Sequence, residues 1–155
     1  MLSVRIRRLH DSVPLPAYQT DGAAGFDLAA SEDVAVPPSS IALIPTCLVI
    51  QVPEGHFLGI FARSSTPLKR GLMVANGVGV IDRDYCGPAD EIKVQVLNFT
   101  QQPVQVKKGD RLAQGRHRAT IAANRAGEVD PHVRRRSPRS RRASPRADPR
   151  RPPAM

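Results

Sequence analysis

No apolar run in the 155 residues approaches the roughly 18–20 that a membrane-spanning helix needs, so no such helix is expected. The opening Met1-Leu2-Ser3-Val4-Arg5-Ile6 lacks the apolar stretch and cleavage pattern of a secretory signal. Cysteine is scarce: Cys47 and Cys86 are the only two, and neither has a Cys or His neighbour at metal-ligand spacing. That spacing gives no cysteine metal site, and both read as free thiols in a reduced, cytoplasmic setting. Sustained 3.6-residue periodicity is also missing, which argues against a helical fold.

Charge is missing from one part and concentrated in another. Residues 1–115 hold 11 Lys+Arg against 11 Asp+Glu, a net of zero, whereas residues 116–155 hold 12 Arg, no Lys and 3 acids, a net of +9. The whole basic excess therefore lies in a tail with six prolines, one glycine (Gly127) and no Phe, Tyr or Trp. Low hydrophobicity with high net charge predicts disorder there. The chain thus divides into one domain over residues 1–115 and an Arg/Pro-rich tail over residues 116–155.

What fills residues 1–115 is a series of short apolar or alternating runs: 4–9, 35–36, 41–44, 48–52, 59–61, 78–81, 92–99 and 104–106. Turn residues separate them, among them Asp21-Gly22, Pro37-Pro38, Pro53-Glu54-Gly55, Asn76-Gly77 and Lys108-Gly109-Asp110. Many short strands with Gly/Pro turns predict an all-β sandwich or barrel. Ile92-Lys93-Val94-Gln95-Val96-Leu97-Asn98 alternates, as a strand with one buried face does. A short helix fits residues 64–71, with Pro67 limiting its length.

Four segments carry candidate chemistry. Ala24-Gly25-Phe26-Asp27-Leu28 places a carboxylate at a strand edge, suited to a cation or to a turn. Ala62-Arg63-Ser64-Ser65-Thr66-Pro67 joins a guanidinium to two hydroxyls at a helix start. That arrangement suits an anion, or an Arg–carboxylate pair with Ser64 as the cap. Asn76-Gly77-Val78-Gly79-Val80-Ile81-Asp82-Arg83-Asp84-Tyr85-Cys86-Gly87 reads as a glycine-bearing hairpin followed by a carboxylate placed to act as a base, or as an ordinary hairpin with turn aspartates. Gly109-Asp110-Arg111-Leu112-Ala113-Gln114 leads from a turn into a strand that carries a polar Gln.

In this order and at this spacing, the four segments resemble the trimeric dUTPase family, over residues 1–114. The resemblance implies a β-barrel-like jelly roll of the β-clip type and a homotrimer whose sites draw on more than one subunit. It also implies Mg²⁺-dependent hydrolysis of dUTP to dUMP and pyrophosphate. Carried over by position, Asp82 activates the attacking water as the catalytic base, and Asp27 places the metal through water. Arg63, Ser64, Ser65 and Gln114 contact the phosphates. Asn76 and Gly79 read the uracil, with Ile81 beside them in the substrate site, and Tyr85 packs on the deoxyribose. Such a site needs little dedicated metal cage, because Mg²⁺ takes most of its inner ligands from phosphates and water.

The sequence departs from the family after Gln114-Gly115. The family continues with an apolar strand and ends in a glycine-rich arm, carrying an Arg and an aromatic, that closes over the nucleotide. Here Arg116-His117-Arg118-Ala119 shows no strand pattern, so a missing strand, an exposed sheet edge and a reduced turnover are expected. A break inside a structural strand reads as a frameshift product rather than a selected extension. A smaller departure is Cys47, where the family more often has glycine. Two other functions compete: a non-catalytic dUTP or nucleic-acid binder using the basic tail, and a dCTP deaminase-like enzyme of the same fold. Twelve arginines can neutralise several backbone phosphates.

Overall fold

The computed structural model describes residues 3–119; the expected tail disorder concerns residues that lie, apart from 116–119, outside that range. In chain order the elements are β1 (Arg5–Arg8), β2 (Phe26–Ala29), β3 (Val34–Val36), β4 (Ile41–Pro45), β5 (Leu48–Gln51), β6 (His56–Ala62), α1 (Ser65–Arg70), β7 (Leu72–Val74), β8 (Gly79–Ile81), β9 (Lys93–Asn98), β10 (Val104–Val106) and β11 (Arg111–Ala119). The expected all-β fold is what these elements build. Every strand pairing is antiparallel: a four-stranded sheet β2-β11-β6-β8, a three-stranded sheet β4-β9-β7, and the pairs β1-β5 and β3-β10.

Alternation sets the core. Along β9, Val94, Val96 and Asn98 are buried while Lys93 is exposed, the period of a strand with one face inward. Leu28, Ile44, Ile50, Leu58, Ile92 and Leu112 are fully buried with them. Asn98 is tolerated in this apolar setting because its amide is satisfied on both sides. Its Nδ2 donates to the Val36 and Gln102 carbonyls at 3.0 and 2.8 Å, and its Oδ1 accepts from the Thr100 N–H and hydroxyl at 2.9 and 2.8 Å.

Helix α1 forms where a short helix was expected. Pro67 sits in its first turn, where the missing N–H has no intrahelical partner to lose. Gly71 ends it at φ 66°, with its N–H bonding back to the Pro67 carbonyl. Cys47 also stands in the left-handed region, at φ 57°. That conformation is the physical reason a glycine suits the position.

The expectation of a strand lost after Gly115 is corrected. Strand β11 runs to Ala119 and is central, pairing Gly115 with both Phe26 and Ile60 and then Arg116 with Gly59 and His117 with Leu58. A ladder needs backbone partners, not an apolar residue at each position. The side chains fit as well: the Arg116 guanidinium lies 5.8 Å from the Phe61 ring centroid, and its stem covers Gly25. Across the sheet, Phe26, Gly115, Ile60 and Gly79 form one row of alternating large and small residues. A Cβ on Gly115 would lie 2.5 Å from the Phe26 ring, and one on Gly79 would lie 3.1 Å from Ile60 Cβ. Gly115→Ala is therefore expected to destabilise the chain by about 1–3 kcal/mol, the usual range for overpacking. A urea midpoint equal to the wild type's would remove β11 from this register.

Candidate active site

The four-stranded sheet gathers a polar cluster around Asp27. This carboxylate lies on β2 with only 5 % of its side chain exposed, and both of its oxygens are engaged. Arg63 Nε is 3.1 Å from Oδ1, Arg111 Nη1 is 3.0 Å from Oδ2, and Gln114 Nε2 is 3.5 Å from Oδ1. The same Arg111 Nη1 also donates to Gln19 Oε1 at 2.8 Å. Pairing of β2 with β11 puts Gln114 directly opposite Asp27. A register shift between Arg111 and Ala113 then turns Arg111 to the same side. Arg63 follows β6, next in the sheet.

Beside this cluster opens a cleft of about 510 Å³ lined by Arg63, Ser65, Lys69, Arg70, Gly109, Asp110 and Arg111. Four cations face one carboxylate there, so the cleft favours a multiply charged anion. Ser64 stands exposed at the N-cap position and makes no side-chain capping bond. Of the two readings of this segment, the Arg–carboxylate pair is present, and the cap is not.

The turn that leads into β11 is fixed by two carboxylates. Asp33 accepts from the Lys108 and Lys107 backbone and side chain, through Lys108 N at 2.8 Å and Lys107 Nζ at 2.9 Å. Asp110 pairs with Arg70 and accepts the Lys107 N–H at 2.8 Å. The Lys108 N–H holds the Asp33 carboxyl below its ordinary 3.8, with Lys107 adding to the effect. The Arg70 guanidinium does the same for Asp110 against partial desolvation.

The remaining sequence-derived residues lie elsewhere. Asn76 is exposed in the turn between β7 and β8, and its carbonyl already accepts the Val78 N–H at 2.8 Å. Gly79 is buried, and the room it leaves on the inner face is taken by Ile60. Ile81 pairs with Leu58, in the same row as His117. That row is three residues along β11 from Gln114, about 10 Å at strand rise. Asp82 is one residue beyond, exposed, with no ion pair among the described residues. Tyr85 is 42 % exposed and, with Ile81, lines a separate cleft of about 420 Å³ that also holds Leu43, Ala89, Glu91 and Lys93. One chain therefore brings Asp27, Arg63, Ser65 and Gln114 to one end of the sheet and leaves Asp82 and Tyr85 toward the other.

Arg111, Lys69, Arg70 and Asp110 were not singled out from sequence. Arg111 stands within the fourth segment, but a regular strand would turn it away from Gln114, three residues on; the register shift is what unites them. Among the described residues no group of three or more His, Cys, Asp or Glu is placed to hold a metal. Asp27, already facing two guanidinium groups, suits contact with a cation only through water. That donor set fits a divalent ion carried on a phosphate chain rather than one caged by protein.

An antiparallel β-fold with a cationic cleft beside two arginines gathered on a buried carboxylate suits a polyanionic ligand. Comparison with known proteins gives the family. The dUTPase family model matches residues 11–115. The deoxyuridine 5'-triphosphate nucleotidohydrolase of Wolinella succinogenes is 42% identical over 114 residues, covering 74% of each chain. The protein of the same name from Desulfitobacterium hafniense is 50% identical over 108 residues, 67% of this chain and 70% of that one. The crystal structure of dUTPase from Streptococcus mutans superposes with a TM-score of 0.72 at 34% identity, over 78% of this chain and 98% of that one. The chain belongs to the dUTPase family.

Two outcomes follow for the cluster. Asp27→Asn leaves two cations without their shared counter-charge, and an expected loss of about 2–4 kcal/mol in chemical denaturation marks the removal of a buried carboxylate with partly exposed partners. Unchanged stability would mean that the cluster is solvated. Asp33 and Asp110 have folded-state pKa values below their ordinary 3.8, so their stabilisation is complete above about pH 4 and is lost as pH falls through those lowered values. Unfolding measured from pH 5 to pH 2 should steepen below pH 4, and the steepening should shrink in Asp110→Asn.

Proposed function

We propose that the protein hydrolyses dUTP to dUMP and pyrophosphate, as a dUTP diphosphatase that removes dUTP from the nucleotide pool and supplies dUMP. The observation that carries this is the Asp27–Arg63–Arg111–Gln114 cluster opening on a cationic cleft of about 510 Å³. Arg63, Ser64, Ser65 and Gln114 hold phosphate oxygens, with Arg111 adding a guanidinium beside them. Asn76 and Gly79 read the uracil edge by backbone and amide groups, Ile81 lies against the base, and Tyr85 packs on the deoxyribose. Asp82, exposed just beyond β8, accepts the proton of the attacking water as the general base. Discrimination against cytosine follows from hydrogen-bonding groups that a wrong base leaves unpaired. Mg²⁺ supplies charge neutralisation on the phosphate chain, with Asp27 oriented toward it through water.

We further infer a homotrimer with composite sites. Asp82 and the phosphate cluster lie apart on one chain, so a neighbouring copy has to bring one to the other. An apolar face suits that contact. On the outer side of the three-stranded sheet, Ile41, Leu97 and Met73 form one row, with Ile41 and Met73 58% and 44% exposed. Leu43, two residues on, reaches the Tyr85 cleft. An exposed apolar patch of this kind marks an interaction surface. Both cysteines are free thiols, in keeping with a cytoplasmic setting. No helix among the described residues is long and apolar enough to cross a membrane. Residues 116–155 carry no glycine-rich closing arm, so turnover is set below that of a chain that closes over its nucleotide.

The test is release of dUMP and pyrophosphate from dUTP by the full chain, with Mg²⁺ and with chelator, beside dCTP, dTTP and UTP. Release from dUTP alone that needs Mg²⁺ is the expected result. Asp82→Asn should cut kcat by about 10²-fold or more, the weight of a general base. Persistent turnover in that variant would remove Asp82 from the role.

A further inference from the structure

One cation of the cleft has a carboxylate to itself, whereas Arg63 and Arg111 share Asp27. Arg70, the last residue of α1, forks onto Asp110, with Nη1–Oδ2 at 2.6 Å and Nη2–Oδ1 at 2.7 Å. The pair is partly buried, at 31% and 23% side-chain exposure. Asp110 is itself anchored: its N–H donates to the Lys107 carbonyl at 2.9 Å, its carbonyl accepts the Ala30 N–H at 2.9 Å, and Oδ2 accepts the Lys107 N–H at 2.8 Å. At the opposite end of the helix, the buried Thr66 hydroxyl donates to the Leu112 carbonyl at 2.7 Å. Helix α1 is therefore fastened to the entry of β11 at its first turn and at its last.

Those two fastened segments carry the phosphate-facing groups. Arg63 and Ser65 lie at the start of α1, and Arg111 follows Asp110 directly. Parallel guanidinium–carboxylate bonds fix both distance and angle, which a single charge contact does not. The same bonds occupy the Arg70 guanidinium, which otherwise lines the cleft with Arg63, Lys69 and Arg111.

We propose that the Arg70–Asp110 pair is a positioning clamp for the phosphate cleft. It sets α1 against the turn before β11, so that Ser65, Arg63 and Arg111 meet one polyphosphate, and it keeps Arg70 from gripping that polyphosphate itself. This deepens the dUTP hydrolysis reading and rests on it. A cation released into the cleft binds the pyrophosphate product as well as the substrate, which slows turnover without stabilising the transition state.

The experiment uses the full chain. Steady-state dUTP hydrolysis is measured beside calorimetric binding of inorganic pyrophosphate, which needs no turnover. Wild-type chain that binds pyrophosphate but does not turn over dUTP counts against the hydrolysis reading, and the clamp is then judged from pyrophosphate binding alone. Asp110→Asn, folded by circular dichroism, is expected to lose about tenfold or more in kcat through misplacement. It should also bind pyrophosphate about fivefold more tightly, the weight of a partly exposed ion pair. Arg70→Lys keeps the charge without the fork and should lose kcat in the same direction. The exchange of Arg70→Asp with Asp110→Arg should recover most of kcat and return pyrophosphate affinity to the wild-type value. Wild-type kcat and pyrophosphate affinity in Asp110→Asn would overturn the clamp, as would parallel loss of both, which marks a merely structural pair. If Asp110→Asn does not fold, Arg70→Lys decides by the same criterion: unchanged kcat overturns the proposal.

Discussion

A single buried carboxylate organises the functional end of this molecule. Asp27 is removed from water, and a charge so placed is stable only with partners. Two guanidinium groups and an amide supply them, drawn from the end of β6 and from β11. The register of β2 against β11 and the shift between Arg111 and Ala113 are what allow all three to converge. Arg63 and Arg111 are therefore ordered by Asp27 without a ligand, which is the condition for electrostatic preorganisation in the proposed site.

The same sheet that gathers one half of the site holds the other half away. Antiparallel pairing of β8 with β6 fixes Ile81 opposite Leu58 and Gly79 opposite Ile60. Asp82 cannot slide toward Gln114 without moving every inward residue of the row to the wrong face. The proposed active site, which draws on both ends, therefore calls for a second copy of the chain. The apolar row of Ile41, Leu97 and Met73 and the position of Leu43 beside Tyr85 offer the proposed assembly a seam.

Much of the fold was legible because it follows from local rules. The alternation in residues 92–98 marked a strand, and Pro53-Glu54-Gly55 and Asn76-Gly77 marked turns, that are present, but the hairpin expected from Asn76 onward does not form, because β7 pairs with β9 and β8 with β6 in a different sheet. Short β2 and β7 were not marked as strands, since Phe26–Ala29 is buried at almost every position and Leu72–Val74 is only three residues long. The continuation of β11 was missed because Arg116 and His117 break the apolar pattern, while its pairing with β6 depends on partners distant in sequence. Asp27, Arg63 and Gln114 were picked out and do meet. Arg111 was passed over because only an irregular register brings it to Asp27. Arg70 and Asp110 carry no local signal, since an ion pair forty residues apart is set by tertiary structure.

The central claim, that one site is completed by residues from two copies, is tested most directly by mixing two inactive chains. Asp82→Asn and Arg63→Ala proteins, unfolded together and refolded at equal amounts, place an intact Asp82 beside an intact Arg63 in about one quarter of the sites of a closed heterologous ring. The account predicts that dUTP hydrolysis, absent from each chain alone, returns in the mixture. No recovery, in a mixture shown by mass spectrometry to contain mixed oligomers, would contradict it and place the whole site within one chain.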